Sequence, residues 1–417
     1  MTTPIPSRRT VLKGAAALSL AGAADAVAAA MAPAFAQAPA APAPIALSAA
    51  PGTMPELAGQ GPLALFNGAL PGPVLRVKKG ADLSLAVSNA LSESVSLAFQ
   101  GVRLPAAAAA AAGAAVAPGK TASIRFTAKD AGTFWYHATS PALARRALAG
   151  ALVVEEAGSS AYASDHVLFI QSFPPESGVP IFPVNGSISP TLQGPASGRT
   201  RLRFVNATPV FLRLRLKGPA SYAIAVDGQP VSEPFELKDG RIQLAPGGRA
   251  DVAATLDDAD ATIIEIETTQ DPIRLAVVTP VGPAGPAPSG PPAPLPANAL
   301  PAQIPLKDAL RVELPIGDKP AKPVPSLGKV KVGRSVVLAL ANSLDAPVSV
   351  NIAGHPARLL DGLDDGWKPW WHDTVPVPAK TTVRVAFQAD TPGTWSVTAQ
   401  RGGDGEVVAA ATYEVTA

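Results

Sequence analysis

The stretch Ala131-Gly-Thr-Phe-Trp-Tyr-His137 recurs in outline near the C-terminus as Pro392-Gly-Thr-Trp-Ser-Val-Thr-Ala-Gln400. Each copy follows a run in which apolar and polar residues alternate, over 120–130 in the first copy and 380–390 in the second. The alternation predicts a strand, the shared glycine a turn, and the aromatic residue after it the start of a second strand. The two copies therefore predict the same β-hairpin in two related domains.

The composition limits the class of protein. The chain has 417 residues, enough for two or three domains with their own cores, and 47% of them are hydrophobic against 16% charged. Its 46 prolines and 36 glycines favour short strands joined by turns over long helices. The formal net charge is +2, and the first 36 residues account for this excess. The near-neutral remainder argues against nucleic acid or an anionic membrane as the main partner.

Cysteine is absent and histidine is rare. Without cysteine the chain has no disulfide, no thiolate nucleophile and no blue-copper centre, because that centre needs a Cys thiolate beside two histidines. The four histidines are His137, His166, His355 and His372. The sequence also lacks the G-x-S-x-G, P-loop, dinucleotide-binding and H-E-x-x-H patterns. We therefore predict no catalytic residue.

The N-terminal segment resembles an export signal of the twin-arginine (Tat) type. Arg8 and Arg9 precede a mildly apolar, Ala-rich run over 14–32. We therefore expect the Tat translocase as a transient partner and the periplasm as the location of the mature protein.

Residues 1–36 form the predicted signal peptide. The small-x-small sequence that ends at Ala36 favours cleavage before Gln37, and the Ala/Pro-rich residues 37–44 are expected to form an extended spacer. The alternative is a retained membrane anchor, which Asp25 and the low apolarity of the run disfavour. No other run is long and apolar enough to span a bilayer, so we expect no stable span in the mature chain.

The rest of the chain divides into three predicted β-domains and one linker. The predicted boundaries are 45–156 for the first domain, 159–278 for the second, 279–305 for a Pro/Ala/Gly-rich linker and 306–417 for the third. The third domain repeats the first, because Val77-Lys-Lys-Gly80 and Val330-Lys-Val-Gly333 begin equivalent alternating runs. A repeat at this separation indicates two copies of one domain rather than a solenoid.

Motifs in all three domains resemble those of the multicopper oxidases. The first domain contributes Asn67-Gly-Ala-Leu-Pro-Gly-Pro73, and the G-T-[FW] hairpins resemble the last hairpin of the family's copper-binding domains. The second contributes Arg201-Leu-Arg-Phe-Val-Asn206, Ala225-Val-Asp-Gly-Gln-Pro-Val231 and Leu244-Ala-Pro-Gly-Gly-Arg-Ala-Asp251. The resemblance implies an all-β chain with three cupredoxin-like Greek-key β-sandwich domains in tandem.

The same resemblance identifies ten positions at which the family carries copper ligands. In the first domain they are Ala98 and Gln100 in one motif and His137 and Thr139 in the other. In the last domain the aligned positions are His355, Arg358, Leu360, Thr398, Ala399 and Gln400. Alanine has no donor atom and an amide is a poor copper ligand. Since only two of the ten are histidines, we expect no metal and no copper cofactor.

A tryptophan-rich stretch lies outside these motifs. Trp367, Trp370 and Trp371 fall within five residues and precede His372. Pro369 predicts a loop or an edge strand there, so at least one ring is expected to be exposed. Two interpretations remain open. The rings either cover the open end of the last domain or form a binding patch for a partner or ligand.

Two smaller features also remain open. The run of alanines over 106–112 is either a short helix or a slack loop, and we assign it no function. His372 and Asp373 could supply a general base, but adjacent residues of a strand point to opposite faces, so we do not expect them to act together.

The resemblance suggests a role without catalysis. A copper-free, Tat-exported branch of the family, the SufI/FtsP type, keeps the fold, lacks the ligands and is associated with cell division and envelope integrity. By this resemblance we expect a non-catalytic periplasmic protein that acts as a binding or scaffold protein for an envelope protein or a small ligand. Two alternatives remain: a residual oxidoreductase with copper at His137 and His355, and a small-molecule binder that uses the emptied copper pocket.

Overall fold

A computed structural model describes residues 43–417 apart from 159, 175–179, 257–260, 284, 286–287 and 361–366, and only the backbone of 58 and 367–369. The predicted signal peptide and nearly all of the predicted spacer therefore lie outside the described residues. Pro44–Ala417 forms one compact unit of six β-sheets. The sheets pack face to face in three pairs, each pair with its own core. The prediction of three β-sandwiches is confirmed.

The first sandwich contains eight strands and two short helices. The strands are β1 (Ile45–Gly52), β2 (Leu63–Phe66), β3 (Gly72–Lys78), β4 (Asp82–Asn89), β5 (Leu97–Gln100), β6 (Thr121–Thr127), β7 (Gly132–Ala138) and β8 (Ala149–Glu155). The helices are α1 (Ala106–Gly113) and α2 (Pro141–Arg145). The strand orders of the two sheets are β2-β1-β4-β6 and β3-β8-β7-β5.

The second sandwich contains two five-stranded sheets. Its strands are β9 (Ser164–Ile170), β10 (Thr191–Pro195), β11 (Arg199–Asn206), β12 (Leu212–Lys217), β13 (Ser221–Val226), β14 (Gln229–Glu236), β15 (Arg241–Leu244), β16 (Arg249–Thr255), β17 (Thr262–Ile266) and β18 (Ile273–Val281). The strand orders are β10-β18-β17-β12-β15 and β14-β13-β16-β11-β9.

The third sandwich also contains two five-stranded sheets. Its strands are β19 (Leu310–Ile316), β20 (Ser326–Lys331), β21 (Ser335–Asn342), β22 (Val348–Ile352), β23 (Ala357–Leu360), β24 (Trp367–His372), β25 (Thr374–Val377), β26 (Thr382–Gln388), β27 (Gly393–Arg401) and β28 (Val407–Thr416). The strand orders are β19-β21-β26-β23-β24 and β20-β28-β27-β22-β25.

The three sandwiches share two parallel strand pairings. The opening strand of each runs parallel to a later strand of its own sheet, in the pairs β1–β4, β9–β11 and β19–β21. The closing strand of each also has a parallel partner, in the pairs β3–β8, β10–β18 and β20–β28. The repeat seen in the sequence of the first and last domains therefore extends to the middle sandwich, where sequence similarity to the other two was not apparent.

Alternation of side chains explains how each sheet forms a core. In β4, Leu83, Leu85 and Val87 are buried while the residues between them are half-buried. Successive residues of a strand point to opposite faces, so one apolar face packs inward and contributes to the core. The tandem arrangement then lets the second face of some strands pack against the next sandwich.

The alanine run forms a helix that joins two sandwiches. Ala108 and Ala112 of α1 belong to the first core, and Ala106 and Ala109 pack against the third core. Methyl side chains allow the helix to approach both cores closely. Of the two interpretations left open by the sequence, the helix is the one observed. Among the described residues, no helix has the length and apolarity that a bilayer crossing requires.

Candidate functional site

The first pair of predicted ligand positions lies on β5, antiparallel to β7. Ala98 is opposite His137 in this ladder and brings no donor atom to it. The amide Nε2 of Gln100 donates to Oγ1 of Thr374 in the third sandwich at 2.8 Å, and both side chains are buried. Gln100 therefore serves as a contact between sandwiches, and its amide group is already hydrogen-bonded within the protein.

The second pair lies at the end of β7. His137 is half-buried, its Nδ1 is 2.9 Å from the carbonyl oxygen of Ala138, and its ring lies 4.5 Å from that of Trp135. Burial lowers the pKa of His137, which favours the neutral imidazole near pH 7. Thr139 follows the strand and is exposed. Only one of the four positions in the first sandwich thus carries a good metal donor.

The histidine of the last domain, His355, is enclosed by aromatic rings. It is 1% exposed, and the rings of Phe387, Trp395 and Tyr413 lie 5.3 to 5.7 Å from it. Its Nδ1 is 2.7 Å from Oη of Tyr413, and its Nε2 accepts from the backbone N–H of Asp390 at 3.2 Å. Both ring nitrogens are therefore hydrogen-bonded within the last sandwich.

The remaining predicted positions lie on β23 and β27. Arg358 and Leu360 are on β23, where the Arg358 guanidinium donates to the carbonyl oxygen of Ala302 at 3.3 Å. The other three are on β27, where Thr398 is half-buried, Ala399 is buried in the core and Gln400 is exposed. These positions lie on two different sheets, and Ala399 is on the opposite face of β27 from Thr398 and Gln400.

The tryptophan-rich strand β24 is at the edge of its sheet, as Pro369 predicts. The ring of Trp370 lies 5.2 Å from that of Phe235 in the second sandwich, and the ring of Trp371 lies 5.4 Å from the Arg358 guanidinium. Both tryptophans are half-buried. The contact with Phe235 favours the covering interpretation for Trp370, whereas the side chain of Trp367 lies outside the described residues.

A buried ion-pair network occupies the place where the three sandwiches meet. At its centre is Arg249, whose side chain is fully buried. Its guanidinium pairs with both carboxylate oxygens of Asp373 and donates to the backbone oxygens of Asp227 and Thr133. Thr133 belongs to the first sandwich, Asp227 to the second and Asp373 to the third. We call Arg249, Asp227, His372 and Asp373 the Arg249 junction.

The residue after Gln100 must be glycine for this junction to form. Gly101 has φ +81°, and a Cβ there would lie 2.0 Å from Nη2 of Arg249. Any side chain would therefore displace the guanidinium.

Asp227 links His372 to Arg249. Its Oδ2 is 3.0 Å from Nδ1 of His372, and its Oδ1 accepts from the backbone N–H of Arg249 at 3.0 Å. Burial alone would raise the pKa of Asp227, but the Arg249 charge and the His372 hydrogen bond lower it overall. Burial raises the pKa of Asp373. His372 is the last residue of β24 and Asp373 follows it outside the strand, and both belong to one network through the second sandwich.

A second buried network lies beside the Arg249 junction. Asp251 accepts from Arg201 at 2.6 Å, from Arg203 at 3.3 Å and from Oγ1 of Thr133 at 2.6 Å. Arg203 also forms a two-point ion pair with Asp165. Buried charges are tolerated only when they are paired and hydrogen-bonded in this way. The hairpin strand β7 is thereby tied to the second sandwich.

The predicted linker is held against the first hairpin. The side chain of Asn298 donates to the backbone oxygen of Ala131 at 2.8 Å and accepts from the Ala131 N–H at 2.9 Å. Next to it, Arg103 pairs with Asp130 and, at 2.6 Å, with Asp390 of the last sandwich. The turns of both G-T-[FW] hairpins therefore meet on one arginine.

Comparisons with known proteins agree with this architecture. Two sequence profiles described as multicopper oxidase match the chain, one over 50–159 and one over 321–399. The crystal structure of a multi-copper oxidase from Pseudomonas thermotolerans is similar with a TM-score of 0.78 and 27% identity, covering 90% of this chain and 99% of that one. The crystal structure of Lac15 from a marine microbial metagenome is similar with a TM-score of 0.77 and 25% identity, covering 89% of this chain and 100% of that one. The chain belongs to the multicopper oxidase superfamily.

Curated relatives within the superfamily have different names. Cell division protein FtsP of Proteus mirabilis is 29% identical over 229 residues, which is 48% of this chain and 48% of that protein. Multicopper oxidase mco of Staphylococcus aureus is 26% identical over 239 residues, 51% of this chain and 53% of that protein. Copper resistance protein A of Escherichia coli is 34% identical over 116 residues, 27% and 19% respectively. The chain thus spans about half the length, or less, of the curated relatives it matches.

The donor set of this chain does not fit the copper sites of its superfamily. Of the ten predicted positions, only His137 and His355 carry imidazoles, and they lie in different sandwiches. His355 has both nitrogens occupied, and Gln100 is bonded to Thr374. No group of three or more His, Cys, Asp or Glu side chains able to hold a metal occurs in the part of the chain that the structure describes. We derive no reaction step through copper.

The sequence contained the residues of the Arg249 junction, but their role was not inferred from it. Asp227, Arg249 and Asp251 fall inside the middle-domain motifs that carry the family resemblance. A signal was present nonetheless. A strand that begins with Arg-Ala-Asp-Val and is otherwise apolar predicts charged side chains in a buried setting, and such charges need partners elsewhere.

Proposed function

We propose that the chain is a copper-free, non-catalytic member of the multicopper oxidase superfamily that acts in the periplasm as a binding or scaffold protein. The similarity to cell division protein FtsP supports a role associated with cell division or the envelope. The Arg8-Arg9 motif supports export through the Tat translocase. The mature chain then acts through its surface, on an envelope protein or a small ligand.

The observation that carries this proposal is the replacement of ligand chemistry by structural contacts. A copper ligand must offer an unoccupied lone pair toward the metal. The Gln100 amide is directed to Thr374, and the two nitrogens of His355 bond Tyr413 and Asp390. Positions that would carry ligands instead make one contact between sandwiches, at Gln100, and two within the last sandwich, at His355.

The test is the metal content of protein purified from the periplasmic fraction and then dialysed against excess Cu²⁺. We expect less than about 0.1 copper per chain and no oxidase activity toward phenolic substrates. Stoichiometric copper that is lost in His137→Ala or His355→Ala would favour the residual oxidoreductase instead. Recovery of the protein in the membrane or cytoplasmic fraction would contradict the proposed location.

A further inference from the structure

The outer face of β12 carries a row of three cationic side chains, of which only one has an ion pair among the described residues. Leu212, Leu214 and Leu216 point into the core of the second sandwich and are buried, so Arg213, Arg215 and Lys217 share the opposite face. They line a groove of about 380 Å³. Six of its lining residues define what we call the β12 groove: Arg213, Arg215, Lys217, Glu265, Glu267 and Gln270. A second concavity of about 460 Å³ adjoins it and shares Arg215 and Lys217.

The acidic residues of the β12 groove are already engaged by other cations. Glu265 is directly opposite Arg215 in the ladder, yet its carboxylate pairs with Lys217 at 2.8 Å. Glu267, beside Arg213, pairs with Arg241 at 2.8 Å. Among the described residues, neither Arg213 nor Arg215 has an ion pair or a side-chain hydrogen bond. Two guanidinium groups therefore remain available on one face of one strand.

The neighbouring strand β15 places another positive charge beside Arg215, which destabilises the sheet. Arg241 of β15 is directly opposite Arg215. Like charges opposite each other across a ladder destabilise a sheet, and local departures of this kind are expected mainly where a function requires them. Glu267 and Asp239 already offset the charge of Arg241, so a bound anion would offset the charge of Arg215, which has no ion pair among the described residues. The position of Arg215 directly opposite Arg241 therefore indicates an anion site independently of the shape of the groove.

We propose that the β12 groove binds an extended acidic segment of a partner protein, with carboxylates on alternate residues. This rests on the proposed binding role and names its partner chemistry. Residues two apart on a strand project from one face about 7 Å apart. An extended peptide has the same spacing, so its alternate carboxylates can pair with Arg213 and Arg215. The planar guanidinium fork binds a carboxylate at two points.

Two features favour a peptide over an anionic membrane surface. The site is concave, whereas a bilayer is flat. Its rim also carries the carboxylates of Glu236, Asp239 and Glu267, which would repel a continuous anionic surface, whereas a peptide with carboxylates only on alternate residues can place them against the arginines and away from the rim. The exposed side-chain amides of Gln243 and Gln270 lie near the arginines and can bond peptide backbone groups.

The test is fluorescence anisotropy with labelled pentapeptides at low salt. We expect saturable binding, with a dissociation constant below about 1 mM, for a peptide with glutamates at its second and fourth positions. A peptide of the same composition with adjacent glutamates should bind several-fold more weakly. Arg213→Gln and Arg215→Gln should each weaken binding about tenfold, because each removes a charge-assisted pair. Neither side chain has an ion pair or hydrogen bond within the described part of the chain, so these variants should fold normally.

Arg384→Gln is the matched control. Arg384 is an exposed arginine on β26 of the third sandwich, without an ion pair among the described residues, and its loss should change binding less than twofold. Equal binding of both peptides, or equal effects of all three variants, would overturn the proposal. Arg215-dependent sedimentation with phosphatidylglycerol vesicles, or competition by millimolar inorganic phosphate with no peptide preference, would also overturn it. Because copper content is measured separately, failure here would leave the copper-free binding role standing with another surface.

Discussion

The two G-T-[FW] hairpins have the same frame but different surroundings. Strand β7 of the first hairpin is buried on both faces, from Gly132 to Tyr136. Strand β27 of the second alternates, with Trp395, Val397 and Ala399 buried and the residues between them exposed or half-buried. The difference is therefore not in the hairpin itself. The outer face of β7 packs on the second sandwich, whereas the outer face of β27 meets solvent.

Individual side chains show what this difference does. Trp135 donates to the Gly247 oxygen of the second sandwich at 3.3 Å, whereas Trp395 donates to Thr391 of its own turn at 2.9 Å. A Cβ at Gly132 would lie 2.0 Å from the Gly228 oxygen, which shows how closely the first hairpin approaches its neighbour. The first copy serves assembly of the sandwiches, and the second serves the core of one sandwich.

The largest expected effect is that of removing Arg249, which tests whether contacts between sandwiches stabilise the fold. We expect Arg249→Met to lower the free energy of unfolding by about 3–5 kcal/mol, because Asp373 and Asp227 stay buried without their counterion. Urea unfolding monitored by tryptophan fluorescence measures the change. Arg401→Met is the control, since it removes an arginine whose pairs with Asp404 and Glu406 are at the surface. A similarly small effect of both variants would contradict the importance of the junction.

The two hairpins also supply a matched pair of threonines. Thr133 is fully buried and bonds Asp251 and Arg203, whereas the equivalent Thr394 is exposed. Thr133→Val should lower the free energy of unfolding by about 1–3 kcal/mol, because it leaves buried charged groups without one hydrogen-bond partner. Thr394→Val should change stability by less than about 0.5 kcal/mol. Equal costs in the same urea assay would mean that the faces of the two strands are not as different as the structure shows.

These residues show which features of the fold the sequence predicts and which depend on packing between sandwiches. The period-2 alternation and turn residues predict strands and the repeated hairpin, because those signals are local, whereas the three sandwiches are what the family resemblance implies. Alternation identifies which residues share a face, but not what covers that face. The half-buried Trp370 and the Arg249–Asp373 pair, 124 positions apart, depend on how sandwiches pack. The residue types at the ten positions that the family resemblance identifies are visible in the sequence without a structure.

The smallest expected effect is on the pH dependence of stability and concerns Asp390, in the turn of the second hairpin. Burial alone would raise the pKa of Asp390, but the neighbouring His355 ring, the hydrogen bond from Thr391 and the charge of Arg103 lower it overall. A carboxylate with a lowered folded-state pKa stabilises the fold above its ordinary value near 3.8, and that stabilisation is lost as the pH falls below it. Asp390→Asn should therefore show a weaker loss of stability between pH 5 and pH 3, by roughly the contribution of one group.

Asp345→Asn is the control for this experiment, because its side chain is 94% exposed and far less enclosed than that of Asp390. Urea midpoints measured at both pH values give the comparison. If Asp390→Asn and the wild type lose stability in parallel on acidification, the hydrogen bonds around Asp390 do not contribute as described.

The central proposal is that the chain binds no copper, because contacts between and within sandwiches occupy the positions at which the family carries ligands. Thermal unfolding of the purified protein in EDTA and in a small excess of Cu²⁺ tests it most directly, because a ligand that binds the folded state raises the midpoint. We expect the two midpoints to agree within about 1 °C. A rise of more than about 5 °C in Cu²⁺ that disappears in His355→Ala would contradict the account.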